Sequence, residues 1–165
     1  MPKKYGQSCP VARSLEFLGE RWTLLIVRDL LMGAKKFQDF SASLGGVTPA
    51  VLSHRLKVLE THGIVSRRLY SEHPPRAEYA LTERGLELRP VVRALGIWGA
   101  RHLGASWTFV HETCGTDVEI AYYCPECDAA VTTDQVRRRP QATPAGRSTR
   151  RSRRSGSPRA AAARV

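Results

Sequence analysis

Residues 36–81 read KFQDFSASLGGVTPAVLSHRLKVLETHGIVSRRLYSEHPPRAEYAL. Phe37 and Phe40 stand three apart, which predicts a short helix over 36–44. Gly45-Gly46 then forms a turn, since glycine tolerates the positive φ a tight turn needs. Thr48 is a good N-cap and Pro49 a good first residue for a second helix. Along that helix Val51, Leu52, Leu56 and Leu59 make one apolar stripe, and Gly63 closes it. Two β-like segments follow, 64–70 and 77–81, joined by SEHPPR, whose prolines restrict the loop.

Upstream, Cys9-Pro10 opens a helix with Val11, Leu15 and Leu18 at helical spacing, interrupted by Gly19. Residues 21–32, RWTLLIVRDLLM, read as a buried helix that Gly33 stops. Downstream, Thr82 caps a long helix running to about Gly104, with Glu83 and Glu87 near its positive end. Pro90 should bend or break it, and Val91, Val92, Leu95, Trp98 and Leu103 give its second half an apolar face. Helix, turn, helix and a two-stranded basic hairpin, in that order, are the layout of a winged helix-turn-helix. The expected fold is mainly α with a small β-wing, plus a C-terminal zinc-ribbon-like β-hairpin and a disordered tail.

Charge divides the chain into three. The formal net charge of the 165 residues is +11. It splits into +7 over residues 1–104, −6 over 105–136 and +10 over 137–165. The boundaries expected are an N-terminal arm at 1–8, the winged domain with its dimerisation helices at 9–104, a zinc-ribbon-like unit at 105–136 and a disordered arginine-rich tail at 137–165. A hydrophobic content of 42% is enough for one packed core. No apolar run approaches the roughly 18–20 residues of a membrane span, and MPKKYGQSCP lacks a signal peptide's apolar stretch. The expected location is the cytoplasm, with no membrane partner.

A helix that enters the major groove needs small or hydrogen-bonding residues on its exposed N-terminal face. Thr48, Pro49, Ala50, Ser53 and His54 satisfy this, with Arg55 and Lys57 in reach of phosphates or base edges. A wing needs cations for the DNA backbone, and Arg67, Arg68, His73 and Arg76 supply them. Taken singly, each could be an ordinary solvated charge; their ordered combination favours double-stranded DNA.

The segments CPVARSLEFLGERWTLLIVRDLLMG (9–33), KKFQDF (35–40), TPAVLSHRLKVLETHGIV (48–65) and PPRAEYALTERG (74–85) resemble the HxlR-type family of bacterial winged-helix transcriptional regulators. The resemblance covers about residues 9–104. It implies a regulator, a repressor in our reading, that binds a roughly palindromic operator as a homodimer paired through its N-terminal and long C-terminal helices. It gives no support to the arginine tail.

Cys9 stands where a helix dipole lowers a thiol's pKa. Some members of the family it resembles use a cysteine in this Cys-Pro setting as a redox or aldehyde sensor, which makes an electrophile a possible inducer. The alternative is a small residue that packs near a dimer interface.

In HETCGTDVEIAYYCPECDAAV, His111 and Cys114 form one pair with two residues between them, and Cys124 and Cys127 another. Two such pairs at the ends of a β-hairpin are the ligand set of a closed, structural Zn²⁺ site. Gly115 suits the turn after the first pair, and Asp128 tolerates a left-handed turn after the second. Val118, Ile120 and Tyr122 alternate as a strand does. A segment this short has little core of its own, so metal is a natural staple. A Cys124–Cys127 redox pair and two unrelated buried cysteines are the competing readings.

Residues 137–165 hold ten arginines and no acid. They fit either a polycation that adds sequence-independent phosphate contacts or an extension without a role. Two other function classes compete with a regulator. One is a thiol redox protein built on Cys9 with Cys124 and Cys127; the other is a zinc-stabilised protein-interaction module. The chain has no nucleotide loop, trusted Ser–His–Asp order or paired carboxylates to carry enzymatic chemistry.

Overall fold

A computed structural model of the chain describes residues 4–73, 75–104 and 107–139. It divides into two compact units, Met1–Ile120 and Ala121–Val165, so the boundary falls inside the segment expected to form one cysteine-bearing unit.

In the first unit, α1 (Pro10–Leu18) and α2 (Thr23–Leu31) precede a two-residue strand, β1 (Lys35–Lys36), and α3 (Phe37–Ser43). Then come α4 (Pro49–Thr61), β2 (Val65–Glu72), β3 (Pro75–Leu81), α5 (Glu83–Leu86) and α6 (Arg89–Leu103). β3 lies between β1 and β2, and both pairings are antiparallel.

The expected helices form where expected, with local corrections. α2 begins two residues late because Trp22 has φ 77°, a left-handed conformation that cannot continue a helix. The helix expected over 36–44 gives its first residue to β1, because Lys36 pairs with Glu78 across the sheet. The single long helix expected from Thr82 is two. α5 ends at Leu86, and α6 restarts at Arg89 with Pro90 in its first turn, where proline's missing N–H costs nothing. The hairpin strands run further toward the tip than expected, so that most of SEHPPR is strand. Pro74 of that loop lies outside the described residues.

The core is built from Leu18, Ile26, Val27, Leu30, Phe40, Leu44, Leu52, Leu56, Leu59, Ile64 and Val65. It fixes α4 against α2 and the sheet by the buried side of its stripe, leaving the opposite side to solvent. Val51, expected in the stripe, sits at its exposed margin. Capping sets where α4 starts: Thr48 Oγ1 accepts from the Val51 N–H at 3.4 Å. Gly63, at φ 67°, ends it and turns the chain into β2.

α6 contains no fully buried residue. Leu95 (52% exposed) and Trp98 (54%) on it stand in water, as does Val11 (65%) on α1. Phe109 packs its ring edge so closely against α6 that a Cβ at Gly96 would stand 2.6 Å from Phe109 Cε2.

In the second unit, β4 (Tyr122–Cys124) and β5 (Ala129–Val131) form an antiparallel hairpin, followed by a 3₁₀ turn at Thr133–Gln135. The strand expected through Val118 and Ile120 is not formed; among the described residues between α6 and Tyr122, Val110 and Asp117 form an isolated bridge. The arginine-rich tail from residue 140 onward lies outside the described residues.

Candidate nucleic-acid interface

Thr48, Pro49, Ala50, Ser53, His54 and Lys57 are exposed on α4, while Leu52, Leu56 and Leu59 hold its other side in the core. The six are small, hydroxylated, imidazole or ammonium side chains, a set that can approach base edges and donate or accept there. Arg55 behaves differently. Its guanidinium pairs with Glu20 Oε2 at 2.7 Å with the side chain only 17% exposed, and its Nε is buried with no partner among the described residues. It ties α4 to the turn between α1 and α2.

The wing places Arg67 and Arg68 on β2, Arg76 on β3 and His73 at the tip, all exposed. Arg68 stands opposite Glu78 and pairs with it at 2.8 Å. With its side chain 80% exposed, this pair contributes only about 0–1 kcal/mol and leaves Arg68 able to exchange Glu78 for a phosphate.

Cys9 is the N-cap of α1, with φ −63° and ψ 127°. It is exposed and outside any disulfide, and its carbonyl accepts from the Arg13 N–H at 3.0 Å.

The cysteine pairs are each organised locally. In the first unit His111 Nδ1 lies 3.2 Å from Cys114 Sγ, and the His111 carbonyl accepts from the Gly115 N–H at 2.8 Å. Hydrogen bonds from Thr116 and then His111 bring the Cys114 thiol down to about 7. In the second unit the hairpin turn carries Cys124 and Cys127. Hydrogen bonds from Cys127, then Glu126, lower the Cys124 thiol from its ordinary value. Tyr123 donates its hydroxyl to Asp128, which raises the tyrosine pKa and closes this turn. Gly115 has φ 69° and Asp128 φ 50°, as expected of the residues after the two pairs. Among the described residues, no group of three or more His, Cys, Asp or Glu side chains is placed to hold a metal ion.

The model of the HxlR-like helix-turn-helix family matches residues 17–106. This chain belongs to the HxlR-like helix-turn-helix family. Among its relatives, the HTH-type transcriptional regulator Rv3095 of Mycobacterium tuberculosis is 38% identical over 130 residues, covering 76% of this chain and 82% of the relative. Among solved structures, PA1374 of Pseudomonas aeruginosa, a candidate transcription factor, is 38% identical with a TM-score of 0.62 and covers 83% of this chain and 94% of its own. The redox regulator HypR in its oxidised form is 35% identical with a TM-score of 0.54, covering 57% of this chain and 97% of its own. A match to 83% of 165 residues is longer than residues 1–104 alone, so the likeness to PA1374 continues into the cysteine-bearing extension. The HxlR-like chain is a DNA-binding transcriptional regulator and not an enzyme. Among the described residues, no helix is long and apolar enough to cross a membrane.

Three features of this HxlR-like domain escape a reading of the sequence. Glu20 gives no local sign of its reach to Arg55, 35 positions away. Asp29, buried on α2, accepts from Ser43 at the end of α3 and from Arg28 at 2.8 Å, a polar tie inside the core. Gly85 is buried where a Cβ would stand 2.2 Å from the Ile64 carbonyl oxygen. Thr82 locks the same corner, donating to the Gly63 carbonyl at 2.6 Å and accepting from the Gly85 N–H at 3.1 Å.

Proposed function

We propose that this regulator represses transcription by binding a pseudo-palindromic operator as a homodimer. The exposed polar face of α4 beside the cationic wing carries this reading. Thr48, Pro49, Ala50, Ser53, His54 and Lys57 face the major groove. Arg67, Arg68, His73 and Arg76 contact the flanking backbone, with Arg55 positioning the helix. The homodimer is supported by apolar residues left in water on α1 and α6, which a second copy would cover. Two-fold symmetry then spaces the half-sites about 10 base pairs apart or a multiple of that.

The inducer side of the proposal rests on Cys9. It is an exposed thiol at a helix start, a redox regulator is among the solved structures the chain resembles, and an electrophile or oxidant is the signal it would take. We also propose a structural Zn²⁺ held by His111, Cys114, Cys124 and Cys127. The donor set is that of a closed tetrahedral site. The 3.2 Å from His111 Nδ1 to Cys114 Sγ is near the roughly 3.6 Å that two ligands of one tetrahedral zinc adopt. Left-handed Gly115 and Asp128 give both pairs the tight turn that ligation requires. Such a regulator works in the cytoplasm, at the chromosome.

A footprint on the promoter nearest its own gene tests the reading. Protection of a symmetric site supports it, and treatment with an electrophile should release wild-type protein but not Cys9→Ser. Absence of protection on that promoter and on every other genomic fragment would overturn it.

A further inference from the structure

Beside the wing lies a cleft of about 410 Å³ lined by Lys36, Phe37, Arg67, Tyr70, Arg76 and Tyr79. The fold builds it from three separate elements. β1 pairs with β3 for only two residues before the chain turns into α3, which leaves Lys36 at the sheet edge beside the start of that helix. A bulge between Leu69 and Ser71 interrupts the regular alternation of β2 at Tyr70. Lys36 Nζ then lies 5.3 Å from the centre of the Tyr70 ring, a cation–π contact that orders the ammonium without neutralising it.

The charge around the cleft is one-sided. Its three cations take part in none of the ion pairs among the described residues. No acid lines the cleft among the described residues. On the adjoining elements Asp39 accepts from the Lys36 backbone N–H at 2.7 Å, Glu78 pairs with Arg68 at 2.8 Å, and Glu72 stands opposite Pro75 toward the wing tip. Three like charges on one small cleft repel each other until an anion joins them. Two guanidinium forks and one ammonium match an oxyanion with several exposed oxygens, which describes a phosphate better than a single carboxylate. The Phe37, Tyr70 and Tyr79 rings on its wall would take an apolar group attached to that phosphate.

We propose that this cleft is a phosphate-binding site with Lys36 as its anchoring cation. Its phosphate comes either from the DNA backbone beside the wing or from a small phosphate ester. The first source rests on the DNA-binding reading above; the second does not.

The test compares wild type, Lys36→Gln and Lys36→Arg. Operator duplexes come from random-sequence selection with wild-type protein, and phenyl phosphate serves as the free-ester probe, followed by calorimetry without DNA. Lys36 is exposed, so the variants should melt as wild type does. If DNA fills the cleft, Lys36→Gln lowers the salt slope of log K by about 0.9 with base preference unchanged, and Lys36→Arg restores it. If a free ester fills it, the slope stays constant, while wild type binds phenyl phosphate and Lys36→Gln does not. An unchanged slope together with no Lys36-dependent phenyl phosphate binding would overturn the proposal. Failure of wild type to select any duplex would sink the DNA reading instead, and the phenyl phosphate arm would then decide the cleft alone.

Discussion

Among the described glycines, Gly85 has the least room for a side chain. A Cβ there would meet the Ile64 carbonyl oxygen at 2.2 Å and Leu81 Cδ2 at 3.0 Å, and backbone cannot rotate away as a side chain can. Gly85→Ala should therefore cost about 1–3 kcal/mol in a urea melt. Gly45→Ala, with open space around the position and no positive φ, should be neutral or slightly stabilising. Equal effects of the two would show that the corner of Thr82, Gly85 and Ile64 is looser than described. Arg55 offers a second test. As a half-buried tie to Glu20, it should lose about 1–2 kcal/mol on truncation to alanine, and Glu20→Ala a similar amount, between the ranges for exposed and buried pairs. The double variant should fall short of their sum, since both remove one interaction. Additive losses would mean that Arg55 acts elsewhere.

At the scale of elements, α4 and the wing should separate in their effects on DNA binding. Ser53→Ala or His54→Ala should cost about 1–3 kcal/mol of discrimination at one base position. Arg67→Ala should weaken all duplexes alike and flatten the salt dependence. A wing variant that altered base preference would contradict this division. On α6, Leu95→Glu puts a charge on the exposed apolar face and should convert a dimer to a monomer by sedimentation. The starts and ends of elements were legible in the sequence wherever local chemistry fixes them. Thr48-Pro49 sets the start of α4, Gly63 its end, and Pro90 the restart of α6. What stayed hidden depends on partners distant in the chain. β1 exists only because Lys35 and Lys36 find Tyr79 and Glu78, and the need for glycine at 85 comes from a carbonyl 21 positions earlier. The polar face of α4 could be read because its stripe of leucines fixes which side is buried. The commitment of Arg55 to Glu20 could not, because periodicity carries no information about a contact across 35 residues.

For the whole molecule, the zinc proposal predicts about one equivalent of metal per chain, lost together with a cooperative transition on chelation. Less than about a tenth of an equivalent in purified protein would rule it out. Deleting residues 137–165 should reduce the salt slope of DNA binding and leave the preferred sequence unchanged, as expected of ten arginines that meet phosphates without reading bases. An unchanged slope would leave the tail without a part in binding. If α4, presented twice by a symmetric dimer, reads the operator, the symmetry must show in the sequences the protein selects. Random-sequence selection with wild type and with His54→Ala is the measurement that decides this. Wild type should select a two-fold symmetric motif, and the variant should show relaxed preference at one position in each half-site, related by the same symmetry. An asymmetric motif, or an identical motif from both proteins, would contradict it.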